Sequence, residues 1–270
     1  VKWVPFDRTT YRMDLERLAD VVGPRTKVVA ITHASNAIGT IVDIEAATRI
    51  THDAGALIVV DAVHYAPHGL IDMTATDCDF LLASSYKFFG PHIGALAGRG
   101  VLMEEMDAYK VRPSPAKGPD KWETGTQSFE ALAGVTAAVD HIAGLAPGEP
   151  TRRDSISTAF AAINDHAISL GERFLAGLPD TVSVFGITDD LTARTPTYAV
   201  ELEGMSARRL ATELADRAIY VTDGDYYAVE VMKTLDRADG GLVRIGFLHY
   251  TTEDEVDRLL DALHDLATNA

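Results

Sequence analysis

Three apolar runs in the first half, separated by loop and helical stretches, constrain this chain more than anything else in it. KVVAITHAS, ALIVVDA and CDFLLASS are too short for ordinary helices and rich in strand-forming residues. DIEAATRITHDAG, between the first two, reads as a helix stopped by Gly55. Buried runs alternating with helices predict a parallel sheet covered on both faces. Ligands of such sheets bind beyond the carboxyl ends of the strands. The polar residues at those ends are therefore the first candidates for chemistry.

Three segments supply them. In ASSYKFFGPHIGAL, Lys87 follows a strand end and precedes a glycine-proline turn. Burial by the strand would desolvate its amine and lower its pKa, as a lysine that forms a Schiff base requires; a surface lysine in a loop would leave the same pattern. In LIVVDAVHYAPH, Asp61 closes a strongly apolar strand. A carboxylate placed there is expected to be paired or functional, and it could hold a cation such as a pyridinium nitrogen; a strand-end aspartate or a helix cap reads alike. In THASNAIGT, Asn36 and Gly39 occupy the turn after another strand, which is also the composition of an ordinary β-turn. His64 and His68 are four apart, but Pro67 forbids a regular helix across them, so no metal pair is expected. Asn36, Asp61 and Lys87 thus fall at one edge of one predicted sheet.

The second half begins after LAPGEPTRRD, whose prolines and glycine read as a linker, and the expected division is 1–147 and 148–270. A helix is expected over about 155–178. Strands follow in TYAVELEG, AIYVT and GLVRIGFLHY, with helices in SARRLATELADR and after Thr251-Thr252, a smaller α+β domain. VKWVPFD reads as an interior strand, which suggests that an N-terminal part of the first domain lies outside this chain. No apolar run approaches the roughly 18–20 residues of a membrane helix, and a soluble, cytoplasmic protein is expected. A net charge of −16 argues against nucleic-acid binding, which needs lysines and arginines at phosphates. The single cysteine, Cys78, excludes an intrachain disulfide framework and a cysteine-rich metal site.

Taken in order, SNAIGT, DAVHYAPH, SSYKFFGP, WETGTQ and RIGFLHYTTEDEVDRLLDAL resemble the class V aminotransferase family, and within it the cysteine-desulfurase-like proteins, from about Lys27 onward. The resemblance implies an α/β fold of fold-type I, a pyridoxal phosphate cofactor, a homodimer and a small amino-acid substrate. Lys87 matches the lysine that carries the cofactor. Asp61 matches the partner of the pyridine nitrogen and Ser84 a phosphate ligand. Asn36 matches a residue near the phenolic oxygen and the substrate. Thr126 matches a residue reaching the neighbouring subunit's phosphate. Arg244 matches the arginine that grips the substrate carboxylate.

The chain also departs from the family. His64 stands where a glutamine usually touches the phenolic oxygen, and Tyr86 where a phosphate-binding histidine is common. The region of the glycine/threonine phosphate loop and the residue stacked on the ring is absent. YVTDGDYYAVEVM corresponds to the stretch that carries the desulfurases' sulfur-accepting cysteine, and it has none. Cys78 lies six residues before Ser84, roughly 20 Å along a strand, at the sheet's far end. The reading is a cofactor-dependent enzyme favouring C–S lyase or elimination chemistry without a persulfide. Its alternatives are transamination and a non-catalytic dimeric scaffold.

Overall fold

The computed structural model describes residues 1–123 and 125–268. Its first sheet has the order β1 (Val28–Thr32), β2 (Leu57–Asp61), β3 (Phe80–Ser84) and β4 (Gly94–Gly98). The first three strands are parallel, and β4 runs antiparallel to β3. The register sets Thr32 beside Asp61, and Asp61 beside Leu82. The carboxyl ends of three strands therefore meet at one edge, as an open parallel sheet requires of a ligand site.

Local sequence explains these elements. Helix α1 (Leu15–Val21) begins at Asp14, whose carboxylate accepts from Arg17 N. Helix α2 (Ile44–Asp53) begins at Asp43, which accepts from Ala46 N at 2.9 Å. Such caps satisfy backbone donors that the first helical turn cannot. Gly55 takes φ +72° just past its end, the left-handed conformation for which glycine has no steric cost. Helix α2 buries Ile44, Ala47 and Thr51, joining a core with Ile58, Val60 and Leu81. The short α3 (Met73–Thr76) leads into β3.

Three expectations need correction here. The sheet is not covered on both faces throughout: β4 is largely exposed, with Leu96 half open. Its GALAG sequence offers little side chain to bury. VKWVPFD forms no strand; Phe6 makes a single bridge to Met13, and Asp7 instead organises a turn by accepting from the amides of Thr9 and Thr10. The strand expected in AIYVT is shifted: pairing covers Thr222–Gly224 and shares only Thr222 with that run.

Helices α4 (Gly100–Glu105), α5 (Phe129–Gly144) and α6 (Arg152–Ala176) connect the first sheet to the second. The second sheet has the order β5 (Val182–Phe185), β6 (Thr197–Leu202), β8 (Leu242–Gly246) and β7 (Thr222–Gly224), with antiparallel pairing throughout. Helices α7 (Ala207–Asp216), α8 (Val229–Thr234) and α9 (Glu253–Thr268) complete it. Ser206 caps α7 by accepting from Arg209 N. Thr252 and Glu255 form a reciprocal cap at α9, Glu255 accepting from Thr252 N at 2.8 Å and Thr252 from Glu255 N at 3.2 Å. Phe174, Tyr198, Leu210, Leu214, Val243 and Leu263 fill this core.

The two sheets are joined at the loop after β1. Ala37 and Ile38 pack with Ala199, Met232 and Leu242. Gly39 has φ +78°, and an added Cβ would lie 2.7 Å from the Thr197 carbonyl oxygen and 2.9 Å from that of Thr195. No other residue fits there without moving the backbone of the second sheet. Arg194 is buried beneath this junction. It donates to the carbonyls of Ile38 at 3.5 Å, Thr197 at 2.5 Å, and Ile187. Its guanidinium stacks 4.0 Å from the Tyr198 ring centroid. Burial lowers its pKa to about 10, which leaves it charged at neutral pH. No helix among the described residues is long and apolar enough to cross a membrane.

Candidate active site

Lys87 sits in a 3-10 turn, Ser85–Phe88, directly after β3. The turn is pinned from within. Ser85 is buried, and its hydroxyl donates to the carbonyls of Pro91 and Ile93. Gly90 packs so tightly on Ser85 that a Cβ would approach its side chain to 2.9 Å. Phe89 closes the turn at φ +71°. The backbone is thus fixed while the Lys87 side chain is exposed, with Nζ 5.0 Å from the Tyr86 ring centroid. The expected desolvation by the strand is not found, because the lysine lies one turn beyond it.

Asp61 is also exposed, and of the two expectations for it, paired or functional, the described residues provide no pairing. As the last residue of β2 it projects past the sheet's packed interior. Its Oδ1 accepts from Val63 N at 2.9 Å, and among the described residues no cation is in ion-pair range.

His64 occupies the junction between the sheets. Its Nε2 is 3.1 Å from the Thr195 hydroxyl and 3.2 Å from that of Thr197. Burial, followed by the positive fields of His68, Arg244 and Lys87, pushes its pKa down to about 3. It is therefore neutral at physiological pH. Lys87 follows β3, Asp61 ends the adjacent β2, and Arg244 of β8 reaches the loop after β1 through the Asn36 carbonyl, so the fold brings them to one edge of the first sheet.

Arg244 donates from Nη1 to the Asn36 carbonyl at 3.0 Å, and Asn36 donates from Nδ2 to the Tyr226 carbonyl at 2.9 Å. The Arg244 guanidinium lies 4.8 Å from the Tyr226 ring centroid. It is half-buried, and burial lowers its pKa. Among the described residues no carboxylate pairs with it. The sequence reading of YVTDGDYYAVEVM turns on its missing cysteine and passes over Tyr226; the paired tyrosines were the available signal.

The remaining candidates are less connected. Ser84 ends β3, half-buried and paired with Gly94. Tyr86 is exposed and stacks on His92, with ring centroids 4.8 Å apart. Thr126 lies in the exposed segment before α5, with no hydrogen bond to the other candidates among the described residues. Cys78 is buried in the first core, just before β3, at the opposite end from Ser84.

An amine, a carboxylate and a guanidinium, the last two without a counter-ion among the described residues, thus share the region of a sheet edge. The pattern of class V aminotransferases matches residues 1–259. The chain belongs to the class V aminotransferase family. It is 32% identical over 270 residues to an aminotransferase-like protein of Gibberella zeae, covering 97% of this chain and 64% of that one. It is 30% identical to a probable cysteine desulfurase of Pseudomonas putida, covering 93% of this chain and 61% of the relative. The chain therefore spans somewhat under two thirds of these relatives. A cysteine desulfurase from Thermococcus onnurineus superposes with a TM-score of 0.87 at 24% identity, over 100% of this chain and 66% of that one. One from Escherichia coli gives 0.81 at 25% identity, over 98% and 65%. The α/β architecture with its mostly parallel sheet is the fold-type I arrangement. Members of this family are enzymes that use pyridoxal phosphate. The donor set fits that group: Lys87 presents an exposed amine to condense with an aldehyde, and Asp61 an exposed carboxylate with no ion-pair partner among the described residues, which a ring nitrogen would supply.

Proposed function

We propose that the protein is a pyridoxal-phosphate-dependent enzyme acting on a small amino acid, by C–S lyase or related elimination chemistry that uses no cysteine persulfide. The observation that supports it most is the placing of Lys87 just past β3, with Asp61 at the end of the adjacent β2 and Arg244 bonded to Asn36 in the loop after β1. When bound, the cofactor supplies an electron sink for charge developing at the substrate Cα. Lys87 holds the group and, when released, takes and returns the Cα proton. Asp61 keeps a proton on the ring nitrogen. Arg244 binds the α-carboxylate through its planar fork, and Asn36 fixes the loop beside it. His64, being neutral, offers a hydrogen bond without adding charge. Ser84 and Tyr86 are assigned to the phosphate, and Thr126 to the phosphate of a partner subunit in a homodimer. In this reading residues 1–147 form the cofactor-binding domain, 148–270 the small domain, and the enzyme works in the cytoplasm.

The test is borohydride reduction of full-length protein followed by peptide mapping. A pyridoxyl label is expected on Lys87. Lys110 and Lys121 are already engaged, Lys110 with the Ser114 carbonyl and Lys121 with those of Met103 and Glu104. A label on either of them, or on Lys117, overturns the assignment.

Transamination is the second reading, supported by the name of the Gibberella relative. Pyruvate and ammonia released from a β-substituted amino acid would mark elimination. Amino transfer to a 2-oxo acid would mark the alternative.

The absence of a persulfide step gives a separate prediction. Cys78→Ser should leave turnover per cofactor-loaded site unchanged. Placing a hydroxyl among Ile58, Val60 and Leu81 should instead lower stability by about 1–3 kcal/mol. Loss of turnover with normal loading, or a persulfide trapped on Cys78, would contradict the mechanism.

A further inference from the structure

The loop from Gly224 to Ala228 has an unusual backbone. Tyr226 and Tyr227 are consecutive and both left-handed, at φ +52° and +61°. L-residues avoid this region because Cβ crowds the following carbonyl, and strain of this kind concentrates where function demands a shape. Asp225 supports the turn, its Oδ1 accepting from Tyr227 N at 3.0 Å and its carbonyl from Ala228 N at 2.7 Å. The two tyrosines then part: Tyr227 is fully exposed, while Tyr226 is 7% exposed.

Three contacts hold Tyr226. Its phenol donates to the Leu242 carbonyl, two residues before Arg244 on the same strand. Its carbonyl accepts from Asn36 Nδ2. Its ring lies under the Arg244 guanidinium. Arg244 in turn donates to the Asn36 carbonyl, which closes a ring of contacts through Tyr226, Arg244 and Asn36. A guanidinium has five N–H donors, and this arrangement commits one edge of Arg244 to the loop and one face to the aromatic ring. What remains is an oriented edge on a half-buried cation that has no counter-ion among the described residues. Burial raises the Tyr226 phenol's pKa, so it stays a neutral donor rather than an anion that would compete for the arginine.

We propose that Tyr226 is a positioning residue, a shelf that presents Arg244 to a substrate carboxylate and ties its orientation to Asn36 across the junction between the two sheets. The proposal rests on the reading of Arg244 as the carboxylate ligand. Without the ring, the long arginine side chain regains its rotamers and the carboxylate site is no longer formed in advance.

The test uses full-length, cofactor-loaded protein titrated with L-alanine and with ethylamine, which lacks only the carboxylate, and is followed by cofactor absorbance. Tyr226→Leu should raise half-saturation by L-alanine about tenfold, in line with the strength of a partly buried cation–π contact, and leave ethylamine unchanged. Tyr226→Phe keeps the ring while losing the bond to the Leu242 carbonyl, and should recover most of the wild-type affinity for L-alanine, with ethylamine again unchanged. Equal shifts for the two amines, as from a merely structural defect, or no shift for either, would overturn the proposal. A second readout needs no cofactor. In ¹⁵N-arginine-labelled protein the Arg244 Nε–H signal should move on addition of acetate, with about tenfold weaker affinity in Tyr226→Leu. If the wild type gives no cofactor signal but this acetate difference holds, the functional reading fails and the positioning role stands. If acetate affinity is the same in both proteins, the positioning role fails. Should Tyr226→Leu not fold, pentafluorophenylalanine at position 226 keeps the ring's shape while reversing its quadrupole. It should weaken acetate in the same way, and unaltered affinity would again refute the shelf.

Discussion

An Asp61→Asn enzyme is expected to fold normally and to turn over roughly 100- to 10,000-fold more slowly. Folding should survive because the carboxylate has no ion pair among the described residues and makes one local contact, accepting from Val63 N. An asparagine carbonyl oxygen accepts the same bond. Catalysis should not survive, because an amide cannot hold a proton on a pyridine nitrogen as a carboxylate does. Asp61 is exposed in this structure and would become desolvated only beneath a seated cofactor; removing one partner of such a charge pair costs about 3–5 kcal/mol, and a barrier raised by that amount would slow the reaction by roughly two to four orders of magnitude. The measurement is turnover per loaded site, with thermal unfolding of the variant as the control. Near-normal turnover would remove Asp61 from the mechanism.

The strands that carry the candidate site were legible because their residues obey local rules. VVAIT, LIVVD and FLLAS are apolar runs of strand length, and each ends where the sheet ends. The caps at Ser206 and Thr252 were legible for the same reason. The antiparallel β4 was not, since Gly-Ala sequence carries no strand preference and its pairing with β3 is decided by the turn at 85–93. Exposure misled the reading of both Asp61 and Lys87: apolar neighbours along the chain suggested burial, but each residue lies at or beyond the last rung of the sheet. The role of Tyr226 was hidden for a different reason: the paired tyrosines stand in the sequence, but what they touch does not. The contacts of Tyr226 with Asn36 and Arg244 span 190 and 18 positions of sequence, and no periodicity signals a side chain whose partners come from two sheets. The link between His64 and the hydroxyls of Thr195 and Thr197 is of the same kind.

Acidification should destabilise the protein well before its carboxylates titrate. His33 is buried, its ring stacked 3.7 Å from that of Tyr65, its Nδ1 has no hydrogen-bond partner among the described residues, and burial holds its pKa at about 4. His68 is likewise lowered by burial to about 4, and His64 to about 3. In the unfolded chain each returns to about 6.5. Below that pH the unfolded state binds more protons, so the stability these neutral histidines contribute is complete above pH 6.5. It is lost as pH falls toward 4, and toward 3 for His64. At pH 5, which is 1.5 units below the ordinary value, His33 alone should account for about 2 kcal/mol. His64 and His68 act in the same direction, and with ring centroids 5.2 Å apart the protonation of one opposes that of the other. The three act in the same sense, so the loss between pH 6.5 and 5 should exceed that from His33 alone. The carboxylates whose pKa values are lowered, such as Asp7, Asp72 and Glu255, act in the same sense only at lower pH. Urea unfolding midpoints at pH 7.5, 6.5, 5.5 and 5.0 should therefore fall steeply below 6.5, and His33→Phe should flatten part of that slope. A constant midpoint between pH 7.5 and 5.0 would mean that these rings are not held neutral by burial. The candidate site would share this sensitivity, because His64 Nε2 meets the hydroxyls of Thr195 and Thr197 there, and a proton on its ring would add a positive charge to a place where the fields of Arg244 and Lys87 already oppose it.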